Sequence, residues 1–379
     1  MSYTIAGLTS LYESLGDWVV YRNLVPADPR LPALADLRQR LHLPGTYAPR
    51  KAEPAYGHAL AHLLRHARWL AMPRANVRRL VYVGDTWMND GTAFRNLCAA
   101  GGWPGWAFVG RDALDQPPAV RVDSEGRLYE ANRWAALAGF LGFLEEEGFP
   151  LDETTAMVID VDKTFIGARG RNDRLIDEAR LEAVHGTVAT LLGSSFDTLA
   201  FHTAYDELKQ APYHPFTADN QDYLAYICLM LGAGLFELPD LVQAIRGGQM
   251  AHFHDFIAEV DRRRADLAST GLAPVHDDVW RNVQAGDATP FKAFRYNEYL
   301  STARRFGDCP GATAEQALNQ RIVITEEVRQ AAATLGQCGA VVLGVSDKPD
   351  EASLPNASQA AAGMRPLHRL ETLAIGQAG

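Results

Sequence analysis

The sequence contains few cysteines, and they are not arranged in pairs. Cys98, Cys228, Cys309 and Cys338 are the only four, and no two of them are separated by just two residues. This spacing argues against a zinc knuckle and against a disulfide framework. We therefore expect the four thiols to be reduced and most of them to be buried.

Long apolar runs are also missing. The sequence has no stretch of about 18 consecutive apolar residues, which a membrane-spanning helix requires. Its N-terminal segment lacks the basic region followed by an apolar region that marks a signal peptide. We expect a cytoplasmic protein without a membrane partner, and no pattern in the sequence indicates an oligomeric state.

Positive charge is scarce as well. Lysine and arginine total 36 against 46 acidic residues, so the net charge is −10. Because nucleic-acid backbones are held by clustered basic side chains, this balance argues against a nucleic-acid partner. The one run of three basic residues, 262–264, lies on a predicted helix with Asp255, Glu259 and Asp266, so we interpret it as a solvated helical face.

The most informative segment is residues 156–164, Ala-Met-Val-Ile-Asp-Val-Asp-Lys-Thr. Its apolar half predicts a buried strand, and Asp160 and Asp162 follow at positions that share one face of an extended chain. Two carboxylates that close require a cation or a shared proton. With Mg²⁺ between them, Asp160 would act as a nucleophile toward phosphorus and Asp162 as an acid and base. The alternative is a strand that ends in an acidic turn.

Asp-x-Asp-x-Thr after an apolar strand resembles the first signature of the haloacid-dehalogenase-like (HAD) hydrolases, and the other three signatures have candidates elsewhere. Ser346 ends the apolar residues 340–345 and resembles the second signature. Lys51 precedes an amphipathic helix and resembles the third. Asp85 and Asp90 follow an apolar strand in a Gly-Asp-x-x-x-x-Asp cluster, which resembles the fourth.

The resemblance implies an α/β fold with a Rossmannoid parallel sheet and a Mg²⁺-dependent phosphatase. The enzyme would act on a small phosphorylated metabolite through an aspartyl-phosphate on Asp160. The metal would be held by Asp160, the backbone carbonyl of Asp162 and Asp85. Asp90 would support the metal or orient Lys51.

The resemblance also implies which residues bind the phosphate. Ser346 and Lys51 would bind the phosphoryl oxygens, and Lys348 is a competing candidate for the phosphate-binding lysine.

Dehalogenation is disfavoured because the resembled dehalogenases lack the second carboxylate, which this chain has as Asp162. A phosphomutase, a binding or scaffold module without turnover, and a carbohydrate- or lipid-binding helical protein are the alternatives.

The order of the signatures differs from that of the family. Along this chain they run third, fourth, first and second, at Lys51, Asp85, Asp160 and Ser346. This order indicates a circular permutation, which compact domains tolerate because their chain termini often lie close together. The predicted helix at residues 131–149 would be the new linker. The rival explanation is a chance match in one or two signatures.

The length predicts a second domain, since 379 residues exceed the roughly 200 that one core usually holds. Residues 1–166 and 321–379 would form the core, and residues 167–320 an inserted helical cap that closes over the active site in the resembled family. Within the insertion we predict helices at residues 175–192, 221–235, 238–245, 252–267 and 297–306.

The insertion is rich in aromatic residues and histidines. We interpret the aromatic residues as helical core packing, with a ring-stacking pocket as the alternative. His252 and His254 suggest a transition-metal site, but residues two apart on a helix do not share a face.

The core prediction rests on apolar runs and turn signals. Strands are expected at residues 18–21, 79–83 and 106–109, with a hairpin turning at residues 124–127. Helices are expected at residues 54–72 and 325–335, the second with Thr325 as N-cap.

Overall fold

The computed structural model describes residues 2–43 and 48–378, which form two compact units. Unit 1 consists of Met1–Glu178 with Thr302–Gly379, and unit 2 of Ala179–Ser301. Unit 2 is shorter than the cap expected at residues 167–320. One reason is that Ala317 and Leu318 pack with Leu373 in a core cluster of unit 1.

The secondary structure alternates between strands and helices in unit 1 and is helical in unit 2. The strands are β1 (Tyr3–Thr9), β2 (Val19–Tyr21), β3 (Val25–Pro26), β4 (Arg79–Gly84), β5 (Gly105–Gly110), β6 (Val120–Asp123), β7 (Leu128–Ala131), β8 (Thr155–Asp160), β9 (Ile324–Thr325), β10 (Val341–Val345) and β11 (Thr372–Gln377). The helices are α1 (Leu11–Leu15), α2 (Leu34–Leu41), α3 (Pro54–Ala71), α4 (Thr92–Gly101), α5 (Ala136–Glu146), α6 (Asp173–Leu192), α7 (Thr198–Leu208), α8 (His214–Thr217), α9 (Gln221–Gly232), α10 (Leu238–Arg246), α11 (Phe253–Arg262), α12 (Arg264–Ala268), α13 (Ala273–Gln284), α14 (Lys292–Ala303), α15 (Ala314–Leu318), α16 (Glu326–Gln337) and α17 (Ala357–Ala361).

Unit 1 contains an eight-stranded sheet in the order β3-β2-β10-β8-β4-β5-β7-β6. The six central strands run parallel, and an antiparallel strand closes each edge. The prediction of a mixed α/β fold with a largely parallel sheet is therefore confirmed. The strands expected at residues 18–21, 79–83, 106–109 and 156–160 are all present within a residue or two.

The central strands are continuous apolar runs because both faces of the sheet are covered. On β8, Met157 and Ile159 enter the core cluster that also holds Trp134 and Phe140. Val158 enters the cluster on the other face, with residues of α3. Both layers are needed to bury the central parallel strands, whereas the edge strand β6 is largely exposed.

The hairpin agrees with its prediction, whereas the helix predicted at residues 131–149 starts later than expected. β6 and β7 pair antiparallel around the turn at residues 124–127, as expected. The helix expected at residues 131–149 begins only at Ala136, because Ala131 still belongs to β7 and pairs with Gly110 of β5. Leu137, Phe140 and Leu144 of this helix are fully buried, as the apolar spacing predicts.

A second, three-stranded sheet in the order β1-β11-β9 was not predicted. β1 pairs antiparallel with β11, and β9 pairs parallel with it. Ile5 and Leu8 of β1 are exposed, so this strand lacks the alternation of polar and apolar residues that marks a half-buried strand.

Unit 2 has its own apolar core, and no strand occurs among its described residues. Tyr226, Phe256 and Phe294 are fully buried in that core, which confirms core packing as the role of these rings. The helix expected at residues 252–267 is interrupted at Arg263, and α7 and α13 were not predicted. Arg262 and Arg263 both pair with Glu259 on an exposed face, as expected for the basic run.

Two histidines of unit 2 make structural contacts. His276 is buried and bonds the Tyr226 hydroxyl (2.6 Å), while His252 caps the start of α11 as an exposed residue.

All four cysteines are free thiols, but the expectation that most are buried was wrong. Only Cys228 is buried and Cys338 is exposed. Within the described part of the chain, no helix is both long and apolar enough to cross a bilayer.

Candidate active site

The carboxyl ends of two neighbouring strands bring the predicted acidic residues together. Val83 of β4 is level with Ile159 of β8, so Asp160, the last residue of β8, and Asp85, the first residue after β4, lie at the same edge of the sheet. Carboxylate oxygens of Asp85, Asp90 and Asp160 all lie within 4.8 Å of one another. The carboxyl edge of a parallel sheet is where open α/β folds bind their ligands.

Lys51 lies at the centre of this acidic group. Its ammonium contacts Asp160 Oδ1 at 2.5 Å, Asp347 Oδ2 at 3.0 Å and Asp90 Oδ1 at 3.1 Å. The Lys51 side chain is only 4% exposed. Lys348, the competing candidate, is also buried, and its ammonium donates to the Thr302 hydroxyl (2.7 Å).

Several hydrogen-bond donors fix the position of the Asp90 carboxylate. It accepts bonds from the Tyr82 hydroxyl (3.2 Å) and from the backbone amides of Asp85 (3.2 Å) and Thr86 (3.0 Å). It lies in a single π-helical turn, Trp87–Gly91, directly after β4. Gly84 permits this approach, because a Cβ at Gly84 would lie 2.5 Å from Asp90 Cβ.

Asp85 is bound by Arg169, which no sequence pattern had indicated as a site residue. Arg169 Nε donates to Asp85 Oδ2 at 2.5 Å, and the Asp85 side chain is 8% exposed. Arg169 follows Gly167, whose φ of +60° produces a tight bend after the Asp-x-Asp-x-Thr segment. The arginine between two glycines was a visible signal, but nothing in the spacing linked it to Asp85.

Asp162 and Ser346 form a separate pair at the same edge. Val345 of β10 is level with Asp160 of β8, which places Ser346 next to the acidic segment. The Ser346 hydroxyl donates to Asp162 Oδ2 at 2.5 Å. It also accepts a bond from the backbone amide of Lys348 (3.0 Å). The serine hydroxyl therefore points to Asp162 and not into the packed interior.

Burial and like charges shift the protonation of the cluster. Burial raises the pKa of Asp160 well above its usual value, and Asp90 and Asp85 add to this effect while Lys51 opposes it. Burial and Asp90 raise the pKa of Asp85 to about 7, against the opposing effect of Arg169. Burial would lower the pKa of Lys51, but its three carboxylate neighbours outweigh it and hold that pKa well above the ordinary value.

The charges of the cluster fit a divalent cation. Four carboxylates, Asp85, Asp90, Asp160 and Asp347, face the two cations Lys51 and Arg169. Fully ionised, the group carries two unmatched negative charges, which is costly because three of the four carboxylates are buried and only Asp347 is exposed. Three converging carboxylates are an all-oxygen donor set, the type that Mg²⁺ prefers. The side chain of Asp162 is not among these three.

An open cleft adjoins the acidic cluster on the β5 side. Its volume is about 660 Å³. It is lined by Asp85, Thr86, Trp87, Met88, Asn89, Val109, Gly110, Arg111, Gln116, Ala119, Val120, Arg121, Glu130, Ala131, Asn132 and Arg169. The sequence did not predict this cleft, because it is formed where the loop after β4 meets the hairpin of β6 and β7.

Comparisons of the chain with protein-family models, with curated proteins and with solved structures found no match.

Proposed function

We propose that this protein is a Mg²⁺-dependent phosphohydrolase that acts on a small phosphorylated metabolite, with a HAD-like core whose signatures follow a permuted order. The observation that carries the proposal is the contact of buried Lys51 with Asp160 inside a cluster of convergent carboxylates. A nucleophile toward phosphorus needs nearby cations, because the transition state develops charge on the phosphoryl oxygens.

Asp160 would supply the nucleophile. One of its carboxylate oxygens would form a bond to phosphorus as the bond from phosphorus to the ester oxygen breaks. Asp162 would give its proton to that departing oxygen, so that the product leaves as an alcohol. In the second half, Asp162 would take a proton from water, whose oxygen would attack phosphorus and release inorganic phosphate from Asp160.

Lys51 and Ser346 would bind the phosphoryl oxygens. The Ser346 hydroxyl donates to Asp162, and rotation about its side chain would redirect it to a phosphoryl oxygen. Asp160, Asp85 and the backbone carbonyl of Asp162 would hold Mg²⁺, with Asp90 in support. The metal would neutralise charge on the phosphoryl group and on the attacking carboxylate.

Asp90 would also orient Lys51, to which it already bonds at 3.1 Å. Unit 2, which interrupts the core sequence between the first and second signatures, would be the cap that selects the substrate. Its helical character and its insertion point support that role.

The direct test is hydrolysis of p-nitrophenyl phosphate, measured as phosphate release with Mg²⁺ and again with EDTA. The unmodified protein should hydrolyse the ester only with Mg²⁺, and Asp160→Asn should remove activity because an amide is a poor nucleophile. Asp266→Asn, an exposed position in unit 2, is the matched control and should retain full activity. Absence of turnover with any common divalent metal would favour a binding or scaffold module instead.

A further inference from the structure

We propose that the cleft beside Asp85 holds a second anionic group of the substrate, bound by Arg111. The preferred substrates would then be phosphate esters that carry another phosphate or a carboxylate at their far end. The inference rests on the proposed function for the identity of the first group, the phosphoryl ester at Asp160.

The position of Arg111 follows from the sheet register. Val109 of β5 is level with Gly84 of β4, and Arg111 comes just after β5 ends. Its backbone amide still bonds Ala131 O at 3.2 Å, so the segment is anchored to β7. Arg111 therefore lies at the same edge of the sheet as the acidic cluster.

The sheet also sets the distance between the two binding positions. β5 is two strands away from β8, which carries Asp160. Neighbouring strands are separated by ~4.8 Å, so the backbones of Arg111 and Asp160 are on the order of 10 Å apart across the sheet, and the long Arg111 side chain can place an anion at a similar distance from the phosphoryl group. A phosphorylated six-carbon sugar or sugar acid with charges at both ends spans a distance of this kind.

Charge pairing distinguishes Arg111 from the other two arginines of the cleft. Arg169 pairs with Asp85, and Arg121 contacts Glu130 at 3.5 Å. Within residues 2–43 and 48–378, no acidic side chain pairs with Arg111, which is exposed to the cleft. A guanidinium of this kind binds phosphate or carboxylate through two parallel hydrogen bonds.

The cleft also offers apolar surface to the carbon skeleton of a ligand. Met88 is 82% exposed and Val120 is 49% exposed, and both line the cleft. A cleft that combines apolar side chains with a few polar groups is typical of a ligand-binding site. The cleft volume of about 660 Å³ is ample for a molecule of sugar size.

The test is a binding measurement that does not depend on turnover. Asp160→Asn, which lacks the nucleophile and leaves the ester intact, is titrated by calorimetry with Mg²⁺ and three ligands. Glucose 6-phosphate carries one anionic group, fructose 1,6-bisphosphate adds a phosphate, and 6-phosphogluconate adds a carboxylate. The same titrations are made after adding Arg111→Gln or, as matched control, Arg78→Gln. Arg78 is an exposed arginine directly before β4, at the opposite end of that strand from Asp85.

We expect at least one of the two ligands with a second anionic group to bind about 10- to 100-fold more tightly than glucose 6-phosphate, the range for hydrogen bonds to a charged group. Arg111→Gln should remove most of this preference, and Arg78→Gln should leave it intact. Whichever of fructose 1,6-bisphosphate and 6-phosphogluconate binds more tightly would show whether the second anionic group is a phosphate or a carboxylate. Equal affinity for all three ligands, or a preference that survives Arg111→Gln, would overturn the inference.

The outcomes also separate this inference from the proposed function. If the preference depends on Arg111 but the unmodified protein does not hydrolyse p-nitrophenyl phosphate, the second anion site stands and the phosphatase proposal fails. If hydrolysis occurs without any preference for a second anion, the reverse holds.

Discussion

The ammonium of Lys51 lies 2.5 Å from Asp160 Oδ1, although the two residues are 109 positions apart in the sequence. Both side chains are almost completely buried. A buried ion pair is a weak source of net stability, but the loss of one partner leaves an uncompensated charge in the interior. Lys51 is therefore expected to affect both folding and catalysis.

Replacing Lys51 with methionine should lower the free energy of unfolding by about 3–5 kcal/mol, because Asp160 and Asp90 lose their shared cation. Urea denaturation in EDTA would measure this change. Lys209→Met removes an exposed lysine that pairs with Asp206 and should cost less than about 1 kcal/mol. Parent-like stability together with parent-like turnover in Lys51→Met would contradict the assigned role.

Replacing Gly84 with alanine should displace Asp90 and weaken Mg²⁺ binding. The new Cβ would lie 2.5 Å from both Asp90 Cβ and Asp90 Cγ, closer than side chains can pack. We expect destabilisation of about 1–3 kcal/mol, the usual cost of overpacking.

The matched control for Gly84→Ala is Gly142→Ala on α5. A Cβ there meets nothing within 4 Å, and alanine favours a helix more than glycine does. This variant should gain about 0.5–1 kcal/mol. Thermal unfolding and calorimetric titration with Mg²⁺ compare the two, and equal behaviour would show that the contact with Asp90 is unimportant.

Removing a carboxylate of the cluster should weaken Mg²⁺ binding in the absence of any substrate. At an Mg²⁺ concentration of about 100 times the dissociation constant, the parent protein should gain about 2.7 kcal/mol of stability. Asp85→Asn should lose most of this gain, and Asp36→Asn, at an exposed position on α2, should keep it. The readout is the midpoint of thermal unfolding with and without Mg²⁺. A parent midpoint that does not respond to Mg²⁺ would argue against a metal site.

Replacing Ser346 with alanine should lower kcat/KM for a phosphate ester by about 10- to 100-fold, because a hydrogen bond to a charged oxygen is lost. Stability should change little, since the hydroxyl bonds the partly exposed Asp162. Ser358→Ala on α17 is the control and should match the parent in kcat/KM. Unchanged kinetics in Ser346→Ala would remove this serine from the site.

Unit 2 offers an independent prediction about stability. Arg295 is buried, contacts Asp222 and bonds Glu298 at 2.5 Å. Its replacement by methionine should cost about 3–5 kcal/mol, because the buried Asp222 loses the cation it contacts and Glu298 keeps only its pair with Arg180 (3.2 Å). Arg262→Met, on the exposed face of α11, should cost less than about 1 kcal/mol. Urea unfolding monitored by circular dichroism measures the free energy of unfolding of both variants. Equal losses of stability in the two variants would show that the buried ion pairs of Arg295 are unimportant.

Much of unit 1 could be predicted because its central strands are short apolar runs that end in polar residues. The segment Thr155–Asp160 is an example, since every residue of that strand is buried and the polarity changes sharply at Asp160. Thr325 precedes α16 as expected, although its hydroxyl donates to Thr164 O (2.5 Å) and not to the helix.

The contacts that complete the candidate site could not be predicted. Arg169 and Asp347 reach the cluster through loop conformations, and Arg111 reaches the cleft through the register of β5, none of which leaves a periodic pattern in the sequence. β1 escaped prediction for a related reason, because its exposed apolar residues do not alternate with polar ones. Local patterns identify elements, whereas the pairing of elements decides which side chains meet.

The path from β5 to β7 passes through the strand β6, whereas a parallel pair is usually joined by a helix. A surface loop between β5 and β6 tolerates substitution and changes of length far better than a buried crossover does. Changes in this loop can therefore alter the lining of the cleft, to which Gln116 and Ala119 contribute, while the acidic residues at the strand ends keep their positions.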